Sequence, residues 1–100
     1  MGQPINVVGT TVEGDVAAFH TDRSITGQEG VAFASGDEAA AAGSLPGDLA
    51  ARLFAADGAV AYVFMTSNQV VVGRHGGWAS RSLLTATEIV TAFFIFYTDA

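Results

Sequence analysis

Two β-forming runs separated by a short turn set the strongest limit on how this chain can fold. Residues 59–65 read Ala-Val-Ala-Tyr-Val-Phe-Met and residues 69–73 read Gln-Val-Val-Val-Gly, with Thr66-Ser67-Asn68 between them. β-Branched and aromatic side chains suit a pleated, half-buried surface, and small polar residues favour turns, so the segment predicts a hairpin. A lone hairpin is marginal in water and needs further strands or a helix against its apolar face. The chain has no cysteine, which removes disulfides, thiolate nucleophiles and Cys-ligated zinc as sources of stability or chemistry. Half of its 100 residues are apolar, so a single core must hold it together, and residues 1–100 read as one domain.

The rest of the chain supplies those covering elements. Residues 5–9 and 15–21 read as two further β segments, with the Thr-Thr-Val-Glu-Gly stretch between them as the turn of a hairpin. Residues 22–30 are polar and punctuated by glycine, which predicts a loop, and Val31-Ala32-Phe33 follows as a short strand or extended lead-in. Ser35-Gly36-Asp37-Glu38 has the spacing of a capping box, so one or two helical turns are expected over 37–42. Ser44 then caps a second helix opened by Leu45-Pro46 and closed by Asp57-Gly58. Leu49, Ala50, Leu53 and Phe54 share one side of it, and Arg52 on the other can pair with Asp48 one turn away.

From Ser82 a helical period places Ala86, Ile89, Val90, Phe93, Phe96 and Tyr97 together. Thr85 and Glu88 also have capping-box spacing, so the helix is expected to begin at Ser82 or near Thr85. The Phe93-Phe94-Ile95-Phe96-Tyr97 run is β-prone by composition, yet the helical period runs its full length, and helix is the expected state. The fold expected is a two-layer α+β sandwich. Its mostly antiparallel sheet carries two main helices, from Pro46 and from about Ser82, on one face.

Charge excludes some functions. Ten acidic residues against four arginines and no lysine give a formal net charge of −6. Binding to nucleic acid or to an anionic membrane surface needs clustered cations, and neither is expected. The N-terminal residues lack a basic start and apolar run, and residues 89–97 are too few to span a bilayer, so a cytoplasmic location is expected.

Residues 73–82, Gly-Arg-His-Gly-Gly-Trp-Ala-Ser-Arg-Ser, carry the most unusual local chemistry. Arg74, His75 and Arg81 sit there with Trp78 and no acid, ahead of a helix N-terminus. One reading is a pocket for phosphate or a partner's carboxylates, with the two arginines as fork donors. The other is a solvated loop pinned by Trp78 in the core, its arginines merely offsetting acidic neighbours. His20 with Asp22, joined by His75 and Asp15, is a weak metal set, because two histidines without helical pairing are few ligands. Ser35, Ser80 or Ser82 could be combined with His75 on paper, but no Gly-x-Ser-x-Gly elbow is present. Glu38 and Glu88 fit helix caps better than an acid/base pair. Phe94 and Ile95 exceed what one buried stripe needs, which leaves the last helix as a candidate homodimer or docking face.

The segments from Phe33 to Val72 also carry a resemblance. Phe33-Ala34-Ser35-Gly36-Asp37-Glu38-Ala39-Ala40, then Leu49-Ala50-Ala51-Arg52-Leu53-Phe54-Ala55-Ala56-Asp57-Gly58, then Val63-Phe64 and Val70-Val71-Val72, followed by Trp78 and Glu88-Ile89, resemble the N-terminal domain of Nfu/NifU-type iron–sulfur scaffold proteins. The ordered set carries the likeness more than any one piece. The departures are a missing Pro-Asn-Pro-Asn run, where Val12-Glu13-Gly14-Asp15 stands, Thr66 for a Gly, Gln69 for an aromatic, and Leu84-Thr85-Ala86-Thr87 for a Leu-Lys-Pro helix start. In full-length members a separate C-terminal domain bears the Cys-x-x-Cys pair that holds the cluster. The resemblance therefore implies a non-enzymatic accessory module, with no cofactor of its own, that assists cluster assembly through a protein partner.

Overall fold

The computed structural model describes residues 6–22 and 30–97, with the side chains of the last helix described through Phe93. Five strands and three helices follow in the order β1 (Val7–Glu13), β2 (Val16–Thr21), β3 (Val31–Phe33), α1 (Gly36–Ala41), α2 (Leu45–Ala56), β4 (Val60–Thr66), β5 (Gln69–Arg74) and α3 (Ser80–Tyr97). The strands form one sheet in the order β1-β2-β5-β4-β3, and every neighbouring pair is antiparallel. The helices form the second layer, so the architecture is the expected α+β sandwich.

Alternation decides the faces. On β2, Ala17, Phe19 and Thr21 are buried while Val16, Ala18 and His20 are only partly so. Val63 and Met65 on β4 and Val70 and Val72 on β5 continue that buried face, and Leu49, Ala50 and Leu53 of α2 with Ala86, Val90 and Phe93 of α3 close over it. Thr21 is the buried polar residue of this core, and it is well satisfied. Its N–H and Oγ1 both donate to the Asn68 carbonyl, at 2.8 and 3.0 Å, while its own carbonyl accepts the Asn68 side-chain amide at 3.0 Å. That exchange ties the end of β2 to the β4–β5 turn.

The two early helices start where their side chains allow. Ser35 Oγ accepts the Glu38 N–H at 3.1 Å, and Glu38 reaches back to the Ala34 N–H at 2.8 Å. Ser44 Oγ accepts the Gly47 N–H at 3.2 Å, with Pro46 in the first turn of α2.

Several boundaries differ from expectation. β1 runs through Thr10, Thr11, Val12 and Glu13, which sequence assigns to a turn; the reversal takes only Gly14 and Asp15. Gly14 adopts φ of 60°, which glycine reaches without a Cβ clash, so the β-branched residues before it stay in the ladder. The start of the first expected strand, at Ile5, and most of the 22–30 loop lie outside the described residues.

α3 begins at Ser80, earlier than either expected start. Ser82 Oγ accepts the Ala79 N–H and donates back to the Ala79 carbonyl, both at 2.9 Å, so Ser82 acts from inside the first turn. Thr85 and Glu88 are interior positions, and Glu88 is not a cap. Thr87 and Thr91 turn their hydroxyls onto the carbonyls of Leu83 and Thr87, at 2.8 and 2.9 Å, which satisfies them within the helix. The β-prone C-terminal run is helical to Tyr97. Phe94 and Ile95 lie on this helix, with side chains outside the described residues. Among the described residues no helix is long and apolar enough to cross a membrane.

Candidate functional site

The β5–α3 loop is built around one backbone carbonyl. Asp15 C=O accepts the Arg74 N–H and the Trp78 indole N–H, both at 2.9 Å. A carbonyl has two lone pairs, and here both are used. Trp78 also meets Phe19 edge-on with ring centroids 5.8 Å apart, so its ring links the loop to the core. The expectation that Trp78 pins this loop matches its place.

Arg74 is tied down as well. Its Nε donates to Asp57 Oδ2 at 2.7 Å and its Nη1 to the Gly77 carbonyl at 2.8 Å, with the guanidinium 6.0 Å from the Trp78 ring centroid. The contact agrees with the reading in which the loop's arginines offset acidic neighbours. Asp57, at the C-terminus of α2, comes to Arg74 from seventeen positions away and cancels its charge. The other Asp57 oxygen accepts the Ala59 N–H at 3.0 Å, so this carboxylate both ends the helix and fixes the arginine.

The hydrogen bond from Arg74 holds the Asp57 carboxyl below the usual carboxylate value, against an opposing push from burial, and the Ala59 N–H and the Arg74 charge act the same way as Arg74's hydrogen bond. A carboxyl whose folded pKa lies below its unfolded one stabilises the fold fully above the unfolded value, and the contribution is lost as pH falls through the folded one. Asp57→Asn should thus lower stability by about 1 kcal/mol at neutral pH. The gap should close as the solution is acidified below the ordinary carboxylate range, as urea titrations at neutral and acid pH would reveal. An unchanged gap at low pH would remove the pair from the stability balance.

The remaining loop residues separate. Arg81 is exposed in the first turn of α3 and borders a hollow of about 300 Å³ with Arg74, Asp57, Ala79, Ser82 and Thr85. His75 is exposed and is not among the residues lining that hollow; its backbone N–H donates to the Ala59 carbonyl at 2.8 Å. The arrangement brings Arg74 and Arg81 to one hollow but leaves Arg74's fork engaged.

The weak metal set is dispersed. His20 lies near the far end of β2 from Asp15, roughly 17 Å away along the strand at about 3.4 Å per residue. His75 lies just past β5 at the Asp15 end, because Gly73 pairs with Val16. β2 stops at Thr21, and Asp22 beyond it binds the Asn6 N–H and side-chain amide, each at 3.1 Å. Among the described residues no three His, Cys, Asp or Glu side chains gather where they could hold a metal ion.

A larger concavity lies between α2 and α3, and nothing in the sequence reading points to it. It is an open groove of about 540 Å³ lined by Arg52, Ala55, Ala56, Thr85, Glu88, Ile89, Ala92 and Phe93. The alanines are the cause. Facing positions on the two helices carry side chains too short to fill the space between them. Arg52 does not pair with Asp48; its guanidinium lies 5.1 Å from the Phe93 ring centroid, a cation–π contact that turns it toward the groove. Glu88 stands on the same groove, so its rim has one charge of each sign. A tighter, mostly apolar space of about 10 Å³ lies among Leu53, Val72, Trp78 and Ile89, and it shares Ala56, Thr85 and Ile89 with the groove.

The fold has a solved counterpart. The crystal structure of protein SAV1430 from Staphylococcus aureus superposes with a TM-score of 0.62 and 12% sequence identity, covering 88% of this chain and 98% of that one. At that identity the likeness shows a shared fold. No family model matches the chain, and no curated protein matches it.

Proposed function

We propose that this protein is a non-enzymatic interaction module, resembling the Nfu N-terminal domain, that serves iron–sulfur cluster assembly in the cytoplasm by docking a protein partner. The observation that carries this reading is the α2–α3 groove, an open valley with an apolar floor of Ala55, Ala56, Ile89, Ala92 and Phe93 between Arg52 and Glu88. A valley between two helices takes a partner's apolar side chains, and the two rim charges can orient it. The element order adds support. A short strand, an acidic-Ala helix, a Leu-Phe helix ending at Asp57, a hairpin, a Trp-bearing loop and a last helix follow one another as the resemblance implies. Thiolates are the usual cluster ligands and this chain has none, so the role assigned to it is delivery or docking, with the cluster held by the partner.

The test is a titration of isolated Cys-x-x-Cys cluster domains and other iron–sulfur assembly proteins, followed by calorimetry and by Trp78 fluorescence. Saturable binding is expected, and Ala55→Arg, at an exposed position of that floor, should weaken it by about tenfold or more. Absence of binding to every assembly protein, or binding indifferent to Ala55→Arg, would overturn the reading. The small-anion alternative stands lower, since Arg81 is the arginine left to it once Arg74 is engaged by Asp57.

A further inference from the structure

We infer that Asp57-Gly58 is a modification site, where the Asp57 carboxyl closes on the Gly58 nitrogen and leaves isoaspartate in the chain, and that Arg74 holds this change back in the folded protein. Asp57 is the one aspartate in the sequence followed by glycine. A side chain on the following residue crowds the backbone nitrogen, and Gly58 has none. Gly58 is exposed, and a Cβ added there would meet nothing within 4 Å, so the fold leaves room beside that nitrogen. Asp57 follows the last residue of α2 in an extended conformation, with φ of −147° and ψ of 107°. Its peptide bond to Gly58 therefore stands outside the helical ladder.

The reaction needs only water and a proton. The Asp57 carboxylate takes a proton from solvent, and the Gly58 nitrogen attacks its Cγ. A Cγ–N bond forms, a Cγ–O bond breaks, and the hydroxyl leaves with the amide proton as water, giving a succinimide. Water then opens the ring. Addition at Cγ restores aspartate. Addition at the former backbone carbonyl breaks its bond to nitrogen, so the chain now runs through Cβ and Cγ and a free carboxyl stands on Cα. That acid ionises and returns the proton taken at the start, and nothing is oxidised or reduced.

The fold holds each oxygen that has to move. Oδ2 accepts from Arg74 Nε at 2.7 Å, Oδ1 from the Ala59 N–H at 3.0 Å, and the Asp57 carbonyl from the Val60 N–H at 3.2 Å. Ala59 is fixed in turn, since its carbonyl accepts the His75 N–H at 2.8 Å. Ring closure requires the carboxyl to become neutral and to swing onto the nitrogen. The Arg74 contact opposes both, because a charge-assisted hydrogen bond anchors the group and favours its ionised form. The product cannot restore these contacts, with its carboxylate moved to Cα and a methylene added to the chain. The lengthened link follows directly on Ala55 and Ala56, so the change reaches the α2 side of the groove.

Tryptic cleavage isolates the site. After incubation of the full chain at neutral pH, complete digestion gives a peptide of residues 53–74 in which Asp57 is the only acidic residue. Its isoaspartyl form separates by chromatography at unchanged mass, whereas deamidation of Asn68 in the same peptide raises the mass. The native protein should accumulate the isoaspartyl form several-fold more slowly than the same protein in urea. Arg74→Gln, followed on the peptide of residues 53–81, should raise the native rate several-fold with the far-ultraviolet circular dichroism unchanged. Adding Gly58→Ala to that variant should suppress the product. Arg81→Gln, which keeps the Arg74–Asp57 bond, should leave the rate as it was. Equal rates in native protein and in urea would overturn the inference, as would equal native rates with and without Arg74. So would product forming as fast with Gly58→Ala, or an Arg81→Gln acceleration matching that of Arg74→Gln.

Discussion

Phe19→Ala should be the most damaging single truncation in this chain, at about 3–5 kcal/mol. Phe19 is fully buried on β2, an interior strand between β1 and β5. Its ring is also the edge against which Trp78 rests, 5.8 Å away. Removing it leaves a cavity and also frees the indole that closes the β5–α3 loop over the Asp15 carbonyl. For a domain of this size each kcal/mol moves the midpoint by about 4–8 °C, so thermal unfolding should shift by roughly 20 °C. Trp78 emission should move to the red as the loop opens to water. A loss below about 1 kcal/mol would mean that the core collapses around the missing ring, contrary to the packing described.

Gly47→Val is the second large effect, and Gly47→Ala reveals its cause. Gly47 stands buried in the first turn of α2. A Cβ built there would lie 2.5 Å from the Ala39 carbonyl oxygen and 3.0 Å from the Ala42 Cβ. Two physical effects oppose each other at this position. Helix propensity favours Ala over Gly by about 1 kcal/mol. The close approach of α1 forbids the methyl, and overpacking of this kind costs about 1–3 kcal/mol. Backbone atoms cannot swing aside as a side chain would, so the clash wins. Gly47→Ala should be destabilising by about 1 kcal/mol and Gly47→Val by about 3 kcal/mol, read from urea midpoints. A stabilised Gly47→Ala protein would show that α1 is not held against α2 at this point.

Local signals in the chain predicted most of the elements. The hairpin at β4–β5 and the capped starts of α1 and α2 depend on residues within a few positions of one another, and they appear where the pattern puts them. Misplaced boundaries have local causes that the pattern could not rank. Thr10-Thr11-Val12 can serve a turn or a strand, and pairing with Phe19, Ala18 and Ala17 decides for the strand. Ser82 reads as a first helical residue, yet its hydroxyl acts backward on Ala79 from inside the turn. The candidate site was legible only in part. The reading of a loop pinned by Trp78, with arginines offsetting acids, agrees with both contacts, but no local signal names Asp57, seventeen positions away, as the acid that meets Arg74.

What sequence alone determined, then, is what depends on short-range chemistry: the class of fold, the periodicities of strand and helix, the caps, and the lack of any thiol. Tertiary structure decided the rest, because the deciding contacts join residues far apart in the chain. Strand order put β5 between β2 and β4, and so brought the Asp15 carbonyl to Arg74 and Trp78. Helix packing set Ala55 and Ala56 opposite Ala92 and Ile89, and so opened the groove. Hydrophobic patterning is indifferent to which strands become neighbours as long as one face is apolar. That order also leaves β1 and β3 as the outer strands of the sheet among the described residues, a placement that no local pattern encodes.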